Sequence, residues 1–204
     1  MFTGIIKDVG QIVSVDLDNG DLRLGIKTKL SLKKCQIGDS ICCSGICLTV
    51  IDIKNNIFYV ELSKETLSIT LANKWRKDRS INLEFSLKMG EKIGGHIVTG
   101  HVDGVSELVK IIKIKGSYKL DFKVSKELMK YIVKKGSISI DGVSLTINST
   151  KDNIFSVNII SHTFKETTIG AIGLHDKVNI EVDSIARYAI EFAENYMKRI
   201  TNVK

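Results

Sequence analysis

The chain has 204 residues, 43% hydrophobic and 26% charged, the balance of an ordinary globular protein with room for one large or two small domains. Its formal charge of +7 comes largely from scattered lysines and aromatic residues are only 6%, so a nucleic-acid surface, which interleaves basic and aromatic side chains on one face, is not expected. No apolar run approaches the roughly 18 residues of a membrane helix, and MFTGIIKDVG lacks the basic start and apolar stretch of a secretory signal, which makes the cytoplasm the expected location.

The N-terminal FTGII (2–6) opens the first of two copies of one pattern. Asn19-Gly20 marks a turn, and a stretch around 29–38, ending at Gly38, is the first copy's counterpart of a short helical segment met again later. ICCSGICLTV (41–50) follows. IFYVEL (57–62) alternates apolar and polar residues as a strand does, after a turn at Asn55-Asn56. The four cysteines, Cys35, Cys42, Cys43 and Cys47, all lie in this half and include no CxxC, so they read as free thiols in a reducing compartment and no metal site is expected.

The second copy repeats this order. ISIDGVSLTI (138–147) sets Gly142 against Gly45, 97 positions earlier, Leu145 against Leu48 and Thr146 against Thr49. The same register pairs KDNIFSV (151–157) with KNNIFYV (54–60), and Asn179-Ile180-Glu181 with Asn82-Leu83-Glu84. VTGHV (98–102) matches FTGII with one residue of slippage. KELMKYIVKKG (126–136) has helical spacing at Leu128, Ile132 and Val133 and a C-cap at Gly136, and Asp152-Asn153 marks a turn. Each copy is therefore expected to be a small all-β domain. SIARYAIEFAENYMKRI (184–200) has no counterpart in the first copy. Ser184 is its expected N-cap, and Ile185, Tyr188/Ala189, Phe192, Tyr196 and Ile200 mark one apolar face, which favours self-association. The expected domains are 1–90, 91–185 and a helix over 186–204.

Residues shared by the copies suggest a shared ligand frame. On a strand, Gly45, Cys47 and Thr49 share one face, as do Gly142, Ser144 and Thr146, while Leu48 and Leu145 face the other way. Glycine admits a close approach of ligand to backbone, and strand amides beside small polar side chains suit a flat heterocycle or a polyol. Glu65-Thr66 and His162-Thr163 follow the alternating strands and could receive a hydroxylated chain. In IGGHIVTGHVDG (93–104), His96 and His101 lie among four glycines at a spacing wrong for joint metal ligation; His101 is suited to proton movement near neutral pH.

MFTGII, GICLTV, SKET, GGHIVTGHVDG, KGSISIDGVSLT, SHT and NIEVD, in that order, resemble riboflavin synthase of the alpha-chain type through both repeats and nearly the whole chain. The resemblance implies two tandem six-stranded Greek-key barrels and a C-terminal helix that builds a homotrimer. It implies a dismutation in which two 6,7-dimethyl-8-ribityllumazine molecules exchange a four-carbon unit, giving riboflavin and 5-amino-6-ribitylaminouracil without metal or organic cofactor. An active site would form where the N-terminal barrel of one subunit faces the C-terminal barrel of its neighbour, and association with lumazine synthase is a further possible partnership.

Carried over by motif, Gly4, Ile5 and Ile6 would line the first barrel's site with Cys47, Leu48, Thr49 and Glu61, Leu62, Ser63, Lys64, Glu65, Thr66. Gly100, His101 and Val102 would line the second with Ser144, Leu145, Thr146 and Ile159, Ile160, Ser161, His162, Thr163, Phe164. Lys135 would reach a ligand across the subunit interface. His101 and Thr146 would move or position protons, Cys47 and Ser40 would add to or orient the acceptor, Phe2 would order the N-terminus, and Asp183 would orient groups at the interface. Ser44, Ser161 and Ala72-Asn73 depart from the family's usual residues. A second reading resembles lumazine proteins, which hold a lumazine or flavin without converting it; polar residues kept in both copies favour the enzyme.

Overall fold

The computed structural model describes residues 1–18 and 21–201. The expected turn at Asn19-Gly20 and the last three residues of the expected helix lie outside them.

The first copy forms β1 (Asp8–Asp18), β2 (Asp21–Lys27), β3 (Ser40–Cys43), β4 (Ile46–Lys54), β5 (Ile57–Leu62) and β6 (Ser80–Phe85). Their spatial order is β1-β2-β5-β4-β3-β6, and pairing of β1 with β6 closes the barrel. The second copy forms β7 (Gly104–Ile114), β8 (Ser117–Lys123), β9 (Ser137–Ile140), β10 (Val143–Lys151), β11 (Ile154–Ile160) and β12 (Lys177–Val182), closed in the same Greek-key order. Alternation explains the interiors: Phe58, Val60 and Leu62 point into the first core, and Phe155, Val157 and Ile159 into the second. Each such side chain contributes roughly 1.5–3 kcal/mol by leaving water. The hairpin turns at Asn55 (φ 57°) and Asp152 (φ 52°) fall where Asn and Asp tolerate the left-handed region.

Short helices follow β5 and β11: α1 (Lys64–Ile69), capped by Ser63, and α3 (Ser161–Glu166). Between β8 and β9, α2 covers only Lys126–Met129, capped by Ser125, so the helix expected through 136 ends early. Leu128 and Ile132 pack on the core, but Val133 is exposed. The turn closes on Lys135 rather than Gly136: Lys135 adopts φ 72° and its N–H donates to the Ile147 carbonyl. Its counterpart Gly38 does the same toward Val50 at φ 97°.

The long helix α4 (Ser184–Thr201) follows β12 directly. Its cap is Asp183, not Ser184: the Asp183 carboxylate accepts from the Ile185 N–H, and its carbonyl accepts from the Arg187 N–H. Polar residues dock α4 on its own barrel, through Arg187 to Asp103, Glu191 to Tyr131, and Lys130 to Glu191 and Glu194. Ile185, Tyr188, Phe192 and Tyr196 stay exposed on the other face. No helix among the described residues is long and apolar enough to cross a membrane.

The two barrels meet about an internal two-fold relation. Ser44-Gly45 and Asp141-Gly142 form matching turns, all four residues at positive φ, and the turns abut. A Cβ on Gly45 would lie 3.0 Å from the Gly142 amide nitrogen, and one on Gly142 2.9 Å from that of Gly45. These glycines were expected to admit a ligand; they admit the other barrel's backbone instead. Asn82 Nδ2 donates to the Asp141 carbonyl and Asn179 Nδ2 to the Ser44 carbonyl, each at 2.9 Å. Their Oδ1 atoms accept from the Thr168 and Leu71 N–H groups of the opposite barrel.

Candidate functional site

In each barrel the strand after the Gly turn is partly unpaired. β4 joins β5 only from Val50↔Val60 onward, and β10 joins β11 from Ile147↔Val157. No ladder pairing ties Cys47–Thr49 to Glu61–Leu62, or Ser144–Thr146 to Asn158–Ile160. Each pair of segments therefore leaves two unpaired strand edges side by side, a candidate cleft that α1 or α3 follows in the chain. Thr49 and Thr146 are exposed in these clefts and Cys47 and Ser144 are half-buried. Leu48, Leu62, Leu145 and Ile159 point into the cores, as the period of two requires, so they offer a ligand only backbone groups.

A strap from the other barrel's N-terminal segment crosses each gap. The Cys47 N–H donates to the Gly100 carbonyl, and the Ser144 N–H to the Gly4 carbonyl, both at 2.8 Å. Val102 packs against the first core and Ile6 against the second. The expected grouping is thus reversed. Gly100, His101 and Val102 belong with Cys47, Thr49 and Glu65; Gly4, Ile5 and Ile6 belong with Ser144, Thr146 and His162. The physical reason is the junction: Phe2 and Val98 pair as an antiparallel bridge between the barrels, which sends each segment onward to the opposite one.

Glycine is required at the crossing points. Gly4 and Gly100 adopt φ 74° and 79°, and a Cβ would lie 2.5 Å from Ser144 Cβ or 2.6 Å from Cys47 Cβ. Two buried carboxylates hold the straps. Glu84 accepts from the Thr3 N–H, the Thr3 hydroxyl and the Gly4 N–H, and Glu181 accepts from the same three donors of Thr99 and Gly100. Burial pushes both carboxyl groups up, and these hydrogen bonds work against that rise.

Phe2 is buried with Cys42 and Val98 at the junction, anchoring the N-terminus. Ser40 lies opposite Thr49 across β3 and β4, beside a cavity of about 660 Å³ that Thr3, Lys34, Asp39, Glu84 and Lys88 also line. Glu61, Ser63, Lys64, Glu65, Ile160, Ser161 and His162 are exposed along the outer walls, with Thr66 and Thr163 half-buried. Phe164 stacks on Tyr118 at 3.8 Å between centroids. Lys135 is exposed and Asp183 caps α4. His101 is exposed, its N–H donating to the Thr99 hydroxyl.

One feature distinguishes the clefts. His96 Nδ1 is 2.7 Å from Ser144 Oγ, its Nε2 is buried without a partner, and burial pushes its pKa down. Among the described residues, no histidine stands at hydrogen-bonding distance from the Cys47 side chain. Sequence reasoning passed over Glu84, Glu181, Asn82 and Asn179 as site elements, although the repeat match of Asn-Leu-Glu with Asn-Ile-Glu marks them. Among the described residues, no group of three or more His, Cys, Asp or Glu side chains could hold a metal ion.

Two like barrels with matching gaps in their strand ladders define a tandem-repeat protein of the small-molecule-binding barrel class. Residues 3–86 and 99–183 each match the lumazine binding domain family. Riboflavin synthase of Brucella abortus (strain 2308) is 41% identical over 95% of this chain and 98% of its own length. Riboflavin synthase of Bacillus subtilis (strain 168) is 40% identical over 94% and 89%. The structure of LumP complexed with riboflavin superposes at a TM-score of 0.82 with 25% identity, covering 90% of this chain and all of that one. The chain belongs to the riboflavin synthase family.

Proposed function

We propose that the two clefts are the substrate seats of a riboflavin synthase, each holding one 6,7-dimethyl-8-ribityllumazine. The observation that carries this reading is the repeated gap in the strand ladder, at Cys47–Thr49 and Ser144–Thr146, each floored by a glycine strap. Strand amides and the Thr hydroxyls suit a planar heterocycle, and the first turns of α1 and α3 suit its ribityl chain. The two substrates play unequal parts, donor and acceptor, and the seats are unequal too. His101, Cys47 and Glu65 stand in one; Ile5, Ser144, His96 and His162 stand in the other.

The lumazine 7-methyl group is acidic because the ring delocalises the resulting anion. The protein's task is then to stack two substrates antiparallel and handle protons, so orientation supplies much of the rate. His101 is the proton-handling residue of the first seat, with Thr146 positioning the second substrate. Both seats are open on a single chain. A neighbouring subunit would close them, bringing the first barrel of one chain to the second barrel of the next, with Lys135 reaching across. The exposed apolar face of α4 supports a homotrimer built on that helix; the expected location remains the cytoplasm. Docking with lumazine synthase is part of the same reading.

Replacing His101 by Ala tests the chemical role. Turnover of the lumazine should fall far more than lumazine affinity, and equal losses would reject it.

A further inference from the structure

Glu84 and Glu181 are nearly inaccessible, at 3% and 2% exposure, on the strands β6 and β12 that close their barrels. Neither carboxylate makes an ion pair shorter than 4 Å among the described residues. A buried charge needs compensation, and here hydrogen-bond donors supply it. Glu84 Oε1 accepts from Thr3 N at 2.8 Å and Thr3 Oγ1 at 2.6 Å, and its Oε2 accepts from Gly4 N at 2.9 Å. Glu181 repeats this with Thr99 N at 2.6 Å, Thr99 Oγ1 at 2.7 Å and Gly100 N at 2.9 Å. Three donors converge on two oxygens, an arrangement that an ionised carboxylate accepts in full; the Gln amide has a single acceptor oxygen and would set its own N–H against a donor.

The held peptides then do something in the opposite barrel. The Gly4 carbonyl accepts from Ser144 in the second barrel, and the Gly100 carbonyl accepts from Cys47 in the first. The Thr hydroxyls accept in turn from the N–H groups of Ile5 and His101. One carboxylate therefore fixes the strap as far as the backbone of Ile5 or His101.

We propose that Glu84 and Glu181 are positioning residues acting across the barrel junction: Glu181, on the second barrel, sets the seat containing His101 and Cys47, and Glu84, on the first barrel, sets the seat containing Ile5 and Ser144. The inference rests on the two-seat reading above. A carboxylate that merely stabilised its own barrel would damage that barrel's own seat. The strap geometry requires the crossed result.

The test uses the full-length protein, titrated with 6,7-dimethyl-8-ribityllumazine while ligand fluorescence is followed. Thr49→Val and Thr146→Val identify which binding phase belongs to which seat. Glu181→Gln should weaken the phase that Thr49→Val weakens, and Glu84→Gln the phase that Thr146→Val weakens, each about tenfold or more for loss of a charge-assisted hydrogen bond. Thr99→Val and Thr3→Val remove one donor each and should give the same crossed pattern at smaller size, which keeps the test open if a Gln variant fails to fold. Markers that act while the Glu and Thr variants weaken their own barrel's phase, or neither phase, would overturn the inference. Markers that leave both phases unchanged would overturn the seat reading beneath it.

Discussion

The carbonyl oxygen of Gly4 and the amide of Ser144 are joined at 2.8 Å, although 140 positions of chain separate them. Gly100 and Cys47 repeat the contact in the other direction. A methyl group at either glycine would meet both a positive φ and a Cβ closer than van der Waals contact permits. Gly4→Ala and Gly100→Ala should each cost on the order of 3 kcal/mol, the sum of left-handed strain and overpacking. Turnover should fall with them. Urea unfolding checks this, and an unfolding midpoint matching the parent would show that the straps are not fixed as described.

The asparagine crossing is a second source of inter-barrel stability. Asn179→Ala would leave the Ser44 carbonyl and the Leu71 N–H without partners in a buried site, and Asn82→Ala would do the same to the Asp141 carbonyl and the Thr168 N–H. Unpaired buried groups of this kind cost about 1–3 kcal/mol each. Each variant should lose on the order of 3 kcal/mol in chemical denaturation. A loss below about 0.5 kcal/mol, the range of surface changes, would contradict it.

Asp141 gives the junction a pH dependence. Burial pushes its carboxyl up from the usual 3.8 to about 7, against the opposing pull of the Asn179 N–H and the charge of Arg79. Between those two values the folded chain keeps a proton that the unfolded chain has released. Stability contributed by this group is therefore complete below about pH 4, falls as pH rises to about 7 and is level above. Asp141→Asn keeps the acceptor for the Asn179 N–H and does not ionise. It should match the parent at pH 4 and exceed it at pH 8, by at most about 4 kcal/mol. Parallel stability curves for the two proteins would refute this.

The two faces of α4 can be separated. Arg187 and Glu191 dock it on the second barrel, and Tyr188 and Phe192 point away, each more than 70% exposed. Tyr188→Ser with Phe192→Ser removes apolar contact area while leaving the docking residues in place. Sedimentation should show a trimer in the parent and a monomer in the double variant. An unchanged assembly would place the subunit contact elsewhere.

Much of the fold was legible because duplication doubles every signal. Alternation in IFYVEL and its repeat match KDNIFSV, turns at Asn55 and Asp152, and the amphipathic stretch from Ser184 correspond to β5, β11, their hairpin turns and α4. Local pattern failed where long-range contact decides the geometry. Helical spacing at Leu128 and Ile132 reflects core packing of a four-residue helix and a turn, not a longer helix. Gly45 and Gly142 read equally well as glycines facing a ligand, since sequence does not show that two backbones meet there. The grouping of Gly4 with Cys47 followed chain order, whereas the Phe2–Val98 bridge sends each strap to the other barrel. Glu84 and Glu181 were visible as repeated residues, but nothing local assigns a buried carboxylate to a strap 80 positions away.

The central claim is that these two seats carry out a dismutation rather than simply holding ligand. Incubation of the purified protein with 6,7-dimethyl-8-ribityllumazine, followed by absorbance and riboflavin fluorescence, tests it most directly. One riboflavin should form for every two lumazines consumed, with no added metal or cofactor. Lumazine that binds but persists unchanged would contradict the account and leave a binding protein in its place.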